Sequence, residues 1–124
     1  MTIAPESTLL PLQPPASCVA DEALLTWAGT ATVFMVGDQG RLAWRLTSRS
    51  GGDAPIPSLA AIELFDATDS LTDTLPVCME QGNLIDPLLW ADYLFTEGGP
   101  YKARITVQFT DGATESAQML VIAR

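Results

Sequence analysis

The sequence has no histidine among its 124 residues and only two cysteines, Cys18 and Cys78. Histidine is the commonest general base, so its absence removes the Ser-His and Cys-His nucleophile pairs. The usual zinc and redox-metal ligand sets are also missing. Neither cysteine has a base or a cluster of positive charge beside it in sequence. We therefore expect two free, unactivated thiols rather than a disulfide or a catalytic cysteine.

Positive charge is also scarce: the chain has six Lys and Arg residues but 15 Asp and Glu residues, which gives a formal net charge of −9. Nucleic acids and anionic membranes are bound through clustered basic residues, so neither is expected as a partner. No stretch approaches the ~20 apolar residues of a membrane span. The first residues lack the basic and apolar segments of a secretory signal. The sequence therefore predicts synthesis and folding in the cytoplasm.

Motifs for catalysis or cofactor binding are missing as well. Gly51-Gly52 lacks the spacing and the lysine of a phosphate-binding loop. Carboxylates are plentiful, but a glycosidase needs two of them held across a cleft, which a small domain of this type rarely builds. We expect a protein that is not an enzyme and that has no cofactor.

The candidate metal ligands are three aspartates grouped in one polar segment, Asp66, Asp69 and Asp73. Calcium binds through such oxygens, but the segment lacks the ligand spacing and the glycine of a helix-loop-helix calcium site. Aspartates also cap turns with their side chains. Turn capping is the preferred interpretation, and no metal is expected.

The end of the chain predicts a β-hairpin, because apolar and polar residues alternate from residue 101 to 110. A two-residue loop would place polar residues opposite apolar ones. A three-residue loop over 110–112 instead pairs Ala103 with Met119 and puts Gly112 at the left-handed position that this loop needs. We prefer this register. Its predicted core-facing residues are Ala103, Ile105, Val107, Ala117, Met119 and Val121.

Further strands are predicted over residues 30–36, 41–47, 60–65 and 75–79, with Pro76 marking the last as an edge strand. The apolar run within 30–36 predicts a strand that is covered on both faces. Trp44 is the candidate for the central core aromatic, because one indole buries a large area. Residues 21–25 suggest a short helical turn. Asp86-Pro87 favours a short helix that continues to Tyr93, although the aromatics of 88–95 also allow a strand.

Six or seven short strands separated by polar turns predict an all-β fold. Our first choice is an immunoglobulin-like antiparallel β-sandwich with an extended Pro-rich N-terminal arm. A jelly roll or a small barrel is the alternative. We place the arm at residues 1–22 and the sandwich domain at residues 23–124.

The arm carries four prolines, which favour extended chain, and leucines that are unusual for a solvated tail. A disordered tail is one interpretation, and docking on a partner or a neighbouring copy is the preferred one. Aromatics outside the predicted core faces are further contact candidates. The predicted partner-interface residues are Ile3, Leu9, Leu10, Leu12, Trp90 and Tyr93.

Two parts of the sequence resemble small immunoglobulin-like domains of tailed-phage structural proteins, including the N-terminal module of upper baseplate proteins. One is GDQGRLAWRLT (37–47) followed by LAAIEL (59–64), and the other is GPYKARITVQFTDG (99–112) with the final Leu120-Val121. The resemblance covers roughly residues 30 to 124. It implies a virion component that works through protein contacts, often in several copies.

On this resemblance we expect a virion accessory protein that attaches to the capsid surface or to the tail or baseplate. Its partners would be other virion proteins or copies of itself, as a homo-oligomer or in many copies on a symmetric assembly. It would be made in the host cytoplasm and end up in the virion. The alternative, from a different class, is a carbohydrate-binding or adhesion module that uses exposed aromatics such as Trp90 and Tyr93.

Overall fold

A computed structural model describes residues 23–49, 55–80 and 86–124, which form nine strands and no helix. Within these residues there is accordingly no helix long and apolar enough to cross a membrane. The strands are β1 (Ala23–Trp27), β2 (Val33–Phe34), β3 (Gln39–Ser48), β4 (Pro57–Phe65), β5 (Leu71–Pro76), β6 (Cys78–Met79), β7 (Leu88–Leu94), β8 (Gly99–Phe109) and β9 (Thr114–Ala123).

The strands form two sheets, one in the order β2-β9-β8-β4-β5 and the other in the order β1-β3-β7-β6. The chain changes sheet after β1, β2, β3, β5 and β7, and such crossings between two sheets are typical of immunoglobulin-like sandwiches. The predicted all-β sandwich is therefore confirmed. Its described strand pairs are antiparallel except for β2 and β9, which run parallel through Val33 and Phe34.

The core lies between the sheets and is built from alternate positions of the long strands. Trp44 is 1% exposed and meets Trp27 edge to face, with ring centres 5.0 Å apart. It is the bulkiest of the fully buried side chains, as expected from the sequence. Leu42 and Leu46, two positions away on either side of it on β3, are fully buried as well.

The terminal hairpin has the predicted register. Strand β8 pairs with β9 so that Ala103 lies opposite Met119 and Ile105 opposite Ala117, and Gly112 in the loop has a φ of 90°. Four of the predicted core-facing residues are buried, and Ala117 and Met119 are half-buried against the core. The buried four are Ala103, Ile105, Val107 and Val121.

The predicted helix at residues 86–93 is wrong, because Leu88–Leu94 is strand β7. The strand pairs with β3, and Leu89 and Ala91 point into the core while Trp90 and Asp92 point out. The Asp-Pro capping signal is local, whereas the two-residue period of burial is satisfied only in a sheet. Tertiary pairing therefore overrides the local preference.

Two further expectations are corrected at the start of the domain. Residues 23–25 belong to a strand rather than a helical turn, because β1 pairs with β3 from Ala23 to Trp27. The strand predicted over 30–36 shrinks to two residues, and Val33 and Met35 are exposed instead of covered on both faces. Strand β2 lies at the edge of its sheet, where only one of its faces meets the core.

The predicted edge strand over 75–79 is divided between the two sheets. Strand β5 ends at Pro76 at one edge of the five-stranded sheet, and β6 starts at Cys78 at one edge of the other sheet. The predicted edge position is confirmed, but the single predicted strand is replaced by two edge strands in different sheets. A proline suits such an edge because its missing N–H removes no hydrogen bond of the ladder.

An aromatic cluster closes one end of the sandwich. Phe34 stacks on Phe95 with ring centres 5.2 Å apart, and Tyr93 and Tyr101 also contact Phe95. The Tyr101 hydroxyl donates to the Glu97 carbonyl at 2.8 Å. This tyrosine near the start of β8, bonded to the backbone four residues upstream, is the tyrosine corner of immunoglobulin-like folds.

Candidate interaction surfaces

The three aspartates of the candidate metal group have different partners. One oxygen of Asp66 accepts hydrogen bonds from the Thr68 hydroxyl at 2.7 Å, the Thr68 N–H at 2.9 Å and the Ser70 N–H at 3.1 Å. These bonds lower the pKa of Asp66, led by that from the Thr68 side chain. Turn capping by Asp66 is therefore confirmed.

The other two aspartates serve separate contacts. Asp69 has a φ of 62° and forms an ion pair with Lys102 at 3.0 Å, while Asp73 accepts from the Thr74 N–H at 3.0 Å. Among the described residues, no group of three or more His, Cys, Asp or Glu side chains is arranged to hold a metal ion.

The two aromatic interface candidates, Trp90 and Tyr93, lie on opposite faces of β7. Trp90 is on the outer face of the four-stranded sheet, and Tyr93 is on the inner face, edge to face with Phe95 at 5.0 Å. The pair therefore does not form one aromatic platform, because strand residues three apart point to opposite sides.

Trp90 is covered by a charged neighbour. The Arg41 guanidinium lies 3.8 Å from the centre of its ring and is held there by two hydrogen bonds to Asp92, at 2.8 and 3.1 Å. This arrangement combines a cation–π contact with a bidentate ion pair. One face of the indole is therefore occupied by a side chain of the same domain, which leaves less of it for a sugar ring.

The Arg41 pair predicts a pH response. Its hydrogen bonds to Asp92 lower the pKa of that carboxyl below its ordinary value. We expect Arg41→Ala to return the pKa of Asp92 towards that value, measured by NMR titration of the carboxyl carbon. The pair therefore stabilises the domain at neutral pH, and this contribution is lost as the pH falls through the pKa of folded Asp92.

The control for this titration is Arg45→Ala, because Arg45 binds Glu80 at 3.1 Å and the Asp86 carbonyl at 2.8 Å instead. This variant should leave the Asp92 titration unchanged. An Asp92 pKa that is equal in the wild type and in Arg41→Ala would contradict the prediction.

Cys78 is a free and exposed thiol on β6, paired across the sheet with Trp90. The expectation of a free thiol is confirmed for this residue. Cys18 lies outside the described residues, together with the rest of the predicted arm. The same holds for four of the predicted interface residues, which are Ile3, Leu9, Leu10 and Leu12.

The feature that sequence reasoning missed is an apolar strip across one end of the outer face of the five-stranded sheet. Leu120 is 71% exposed, Leu71 54%, Val33 46% and Ile122 40%. In the strand pairing, Ile122 lies opposite Val33, and Phe65 lies opposite Leu71. Leu120 and Phe65 lie on either side of Lys102 of β8, because both are paired with it. The apolar strip consists of Val33, Phe65, Leu71, Leu120 and Ile122.

The strip takes residues from four of the five strands and is interrupted on β8 by Lys102; at ~4.8 Å per strand spacing, it extends over about 19 Å. A shallow depression of about 270 Å³ lies beside Leu120 and is lined in part by Pro100 and Lys102. The hairpin register could have indicated part of this strip, since it places Leu120 and Ile122 on the solvent side of β9. The contributions from β2 and β5 depend on the order of strands in the sheet.

Ion pairs neutralise the middle of both outer faces. On the five-stranded sheet Lys102 pairs with Asp69 and Arg104 with Glu63, each at 3.0 Å. On the four-stranded sheet the pairs are Arg41 with Asp92 and Arg45 with Glu80. Such exposed pairs contribute little stability, but they leave the faces without excess charge although the chain as a whole is acidic. The apolar strip therefore lies beside a neutral surface.

No protein-family model matches this chain. No curated protein matches it either. Among solved structures, it is similar to CopC from Methylosinus trichosporium OB3b, with 15% identity and a TM-score of 0.54, over 82% of this chain and 92% of that one. It is also similar to part of the Pseudomonas fluorescens alkylpurine DNA glycosylase AlkC, with 14% identity and a TM-score of 0.51, over 83% of this chain and 30% of that one. At such identities the likeness concerns the fold alone.

Proposed function

We propose that this chain is a non-enzymatic structural or accessory protein of a tailed-phage virion, which acts through protein contacts. The observation that carries the proposal is the apolar strip on the outer face of the five-stranded sheet. Exposed apolar residues that adjoin one another across several strands mark interaction sites more often than isolated ones do. The resemblance of residues 30 to 124 to phage immunoglobulin-like domains supports the virion setting.

The composition of the surrounding face suits a protein partner. Beside the apolar strip lie uncharged polar side chains such as Thr106, Ser116 and Gln118. Two ion pairs lie there as well, and the opposite charges cancel within each pair. Interfaces combine an apolar centre with a polar rim, and a stable one buries about 800 Å² on each partner.

Attachment to the capsid surface and attachment to the tail or baseplate both agree with these features. In either position the chain would be present in several copies. The sandwich would supply the apolar strip, and the arm of residues 1–22 would add contacts with a neighbouring subunit. The net charge of −9 would oppose non-specific association.

The first test is whether the protein is a component of particles. We expect mass spectrometry of density-purified virions of the encoding phage to detect it in a fixed copy number per particle. Leu120→Glu should reduce this copy number at least tenfold, because it places a charge in the apolar centre of the contact.

The matched control is Thr26→Glu, which adds the same charge to the exposed outer face of the other sheet. It should be incorporated as the wild type is, and circular dichroism should show both variants folded. Absence of the wild-type protein from purified particles would overturn the proposed function.

A further inference from the structure

The outer face of the five-stranded sheet has its two most exposed leucines at opposite ends. Leu120 is 71% exposed and lies opposite Lys102 of β8, whereas Leu59 is 66% exposed and lies opposite Gln108. Six residues of strand separate the two positions, which is about 20 Å. Each leucine adjoins a shallow depression, so both ends of the face carry a protruding apolar side chain and a hollow.

Four rows of side chains run across the three inner strands of this face. Each row takes one residue from β9, one from β8 and one from β4, because the register pairs these strands without an offset from row to row. The rows are numbered from the apolar strip. In that order they are Leu120–Lys102–Phe65, Gln118–Arg104–Glu63, Ser116–Thr106–Ala61 and Thr114–Gln108–Leu59.

Rows one and four are complementary in shape and polarity. Row one presents Leu120 and the exposed part of Phe65. Row four presents Leu59 and, beside Thr114 and Gln108, a depression of about 240 Å³, which exceeds the volume of a leucine side chain. A surface whose two ends fit each other suits a two-fold contact, in which the same patch of both copies meets.

We propose that a second copy of the chain docks face to face on this sheet, with the strands of the two copies antiparallel. Row one of each copy lies against row four of the other, and row two lies against row three. Leu120 then enters the depression beside Thr114 of the second copy, and Phe65 contacts its Leu59. The inference rests on the proposed function, in which the apolar strip is a contact surface, and it names the occupant of that surface.

Charge favours this orientation over the alternative two-fold contact. In the proposed contact Lys102 lies against Gln108 and Arg104 against Thr106 of the second copy, so no two charged side chains of the rows meet. A two-fold axis along the strands would instead stack β8, the central strand of the sheet, on itself. Lys102 would then meet Lys102 and Arg104 would meet Arg104, and like charges in contact oppose association.

The charge balance of the face also suits a copy of this acidic chain. The ion pairs Lys102–Asp69 and Arg104–Glu63 cancel within each copy, although the chain as a whole has a net charge of −9. Two copies can therefore meet on this face while their excess negative charge lies elsewhere.

The size of the face indicates a weak, reversible contact. From Thr114 to Ile122 the face extends about 26 Å along β9, and its five strands span about 19 Å. These dimensions give a flat area of about 500 Å² per copy, and protruding side chains add to it. Two copies would bury roughly 1,000 Å² or more, which is at the lower limit of specific interfaces.

Sedimentation equilibrium of the full chain under reducing conditions tests the contact. Over about 1 μM to 1 mM we expect a reversible equilibrium between monomer and dimer. Leu120→Lys should weaken dimerisation about tenfold or more, because it places a charge in the hollow that Leu120 fills. The matched control, Thr26→Lys on the outer face of the other sheet, should dimerise as the wild type does. Circular dichroism should show both variants folded.

A compensating charge tests which rows meet. Thr114→Glu alone should weaken the dimer, but in the Leu120→Lys background it should raise the affinity at least about threefold, because the two introduced charges lie against each other across the contact. The two positions are about 20 Å apart within one copy, so they cannot pair there. Thr26→Glu in the Leu120→Lys background adds the same charge elsewhere and should raise nothing.

Three outcomes would overturn the inference. The first is a wild type that stays monomeric up to about 1 mM, whatever other segment or protein then covers the strip. The second is equal dimerisation of the wild type and Leu120→Lys. The third is a Thr114→Glu effect no larger than that of Thr26→Glu in the Leu120→Lys background, since the copies then do not meet in the proposed rows.

Particle incorporation separates this inference from the proposed function. If the wild type is monomeric but Leu120→Glu still lowers its copy number in virions, the strip binds another virion protein, and only this inference fails. If the chain dimerises with the expected charge compensation but is absent from purified virions, the proposed function fails and the dimer contact stands.

Discussion

Replacing Trp44 by alanine should lower the free energy of unfolding by about 3–5 kcal/mol, a large share of the ~5–15 kcal/mol typical of a single domain. The indole is 1% exposed and lies between Leu42 and Leu46 at the centre of β3, against Trp27. Its removal leaves a cavity that the two paired sheets cannot close. Urea denaturation followed by far-UV circular dichroism measures the effect.

The control is Trp90→Ala, which removes the same side chain from the outer face of the four-stranded sheet. Trp90 contributes mainly its contact with Arg41, so we expect a loss of about 1 kcal/mol or less. Equal losses in the two variants would contradict the assignment of Trp44 as the central core residue.

Gly40→Ala should lower the free energy of unfolding by about 1–3 kcal/mol, through overpacking rather than through a cavity. A Cβ atom at Gly40 would collide with the Phe34 ring, which is 7% exposed and stacked on Phe95. The ring cannot move without disturbing the aromatic cluster that closes this end of the sandwich. Thermal and urea unfolding both report the change.

Gly98→Ala provides the comparison for Gly40→Ala. A Cβ atom there would come no closer than 3.4 Å to its nearest neighbour, the Ala123 carbonyl oxygen, which is ordinary contact. The expected change is within about 0.5 kcal/mol. If Gly40→Ala proved equally neutral, Phe34 would not be held in place by its packing.

The parts of the fold that could be predicted from the sequence are those that depend only on the residues of a single strand or of two neighbouring strands. The β8–β9 register follows from the alternation on the two strands and from the glycine needed in the loop between them. The core face of β3 follows in the same way from Leu42, Trp44 and Leu46. Both patterns lie within about 25 residues of chain.

The incorrect predictions concern segments whose local sequence favours one structure while their pairing with distant strands requires another. The Asp86-Pro87 pair favours a helix, but β7 forms because Leu89 and Ala91 align with β3, more than 40 residues earlier in the chain. The apolar run at 33–36 predicted a strand covered on both faces. Its place at a sheet edge leaves Val33 and Met35 exposed instead.

The candidate surfaces show the same division. Trp90 and Tyr93 could be singled out as aromatics, but the pleat of β7 sends them to opposite faces. The apolar strip combines residues from β2, β4, β5 and β9, so no single segment contains it.

By itself the sequence determined the all-β class, the terminal hairpin and the central tryptophan, because each depends on alternation along one or two neighbouring strands. The tertiary structure alone decided which sheet each strand joins and which of the described apolar side chains remain in solvent. These properties arise from pairing between distant segments. The proposed contact surface of this protein, the apolar strip, depends on that pairing.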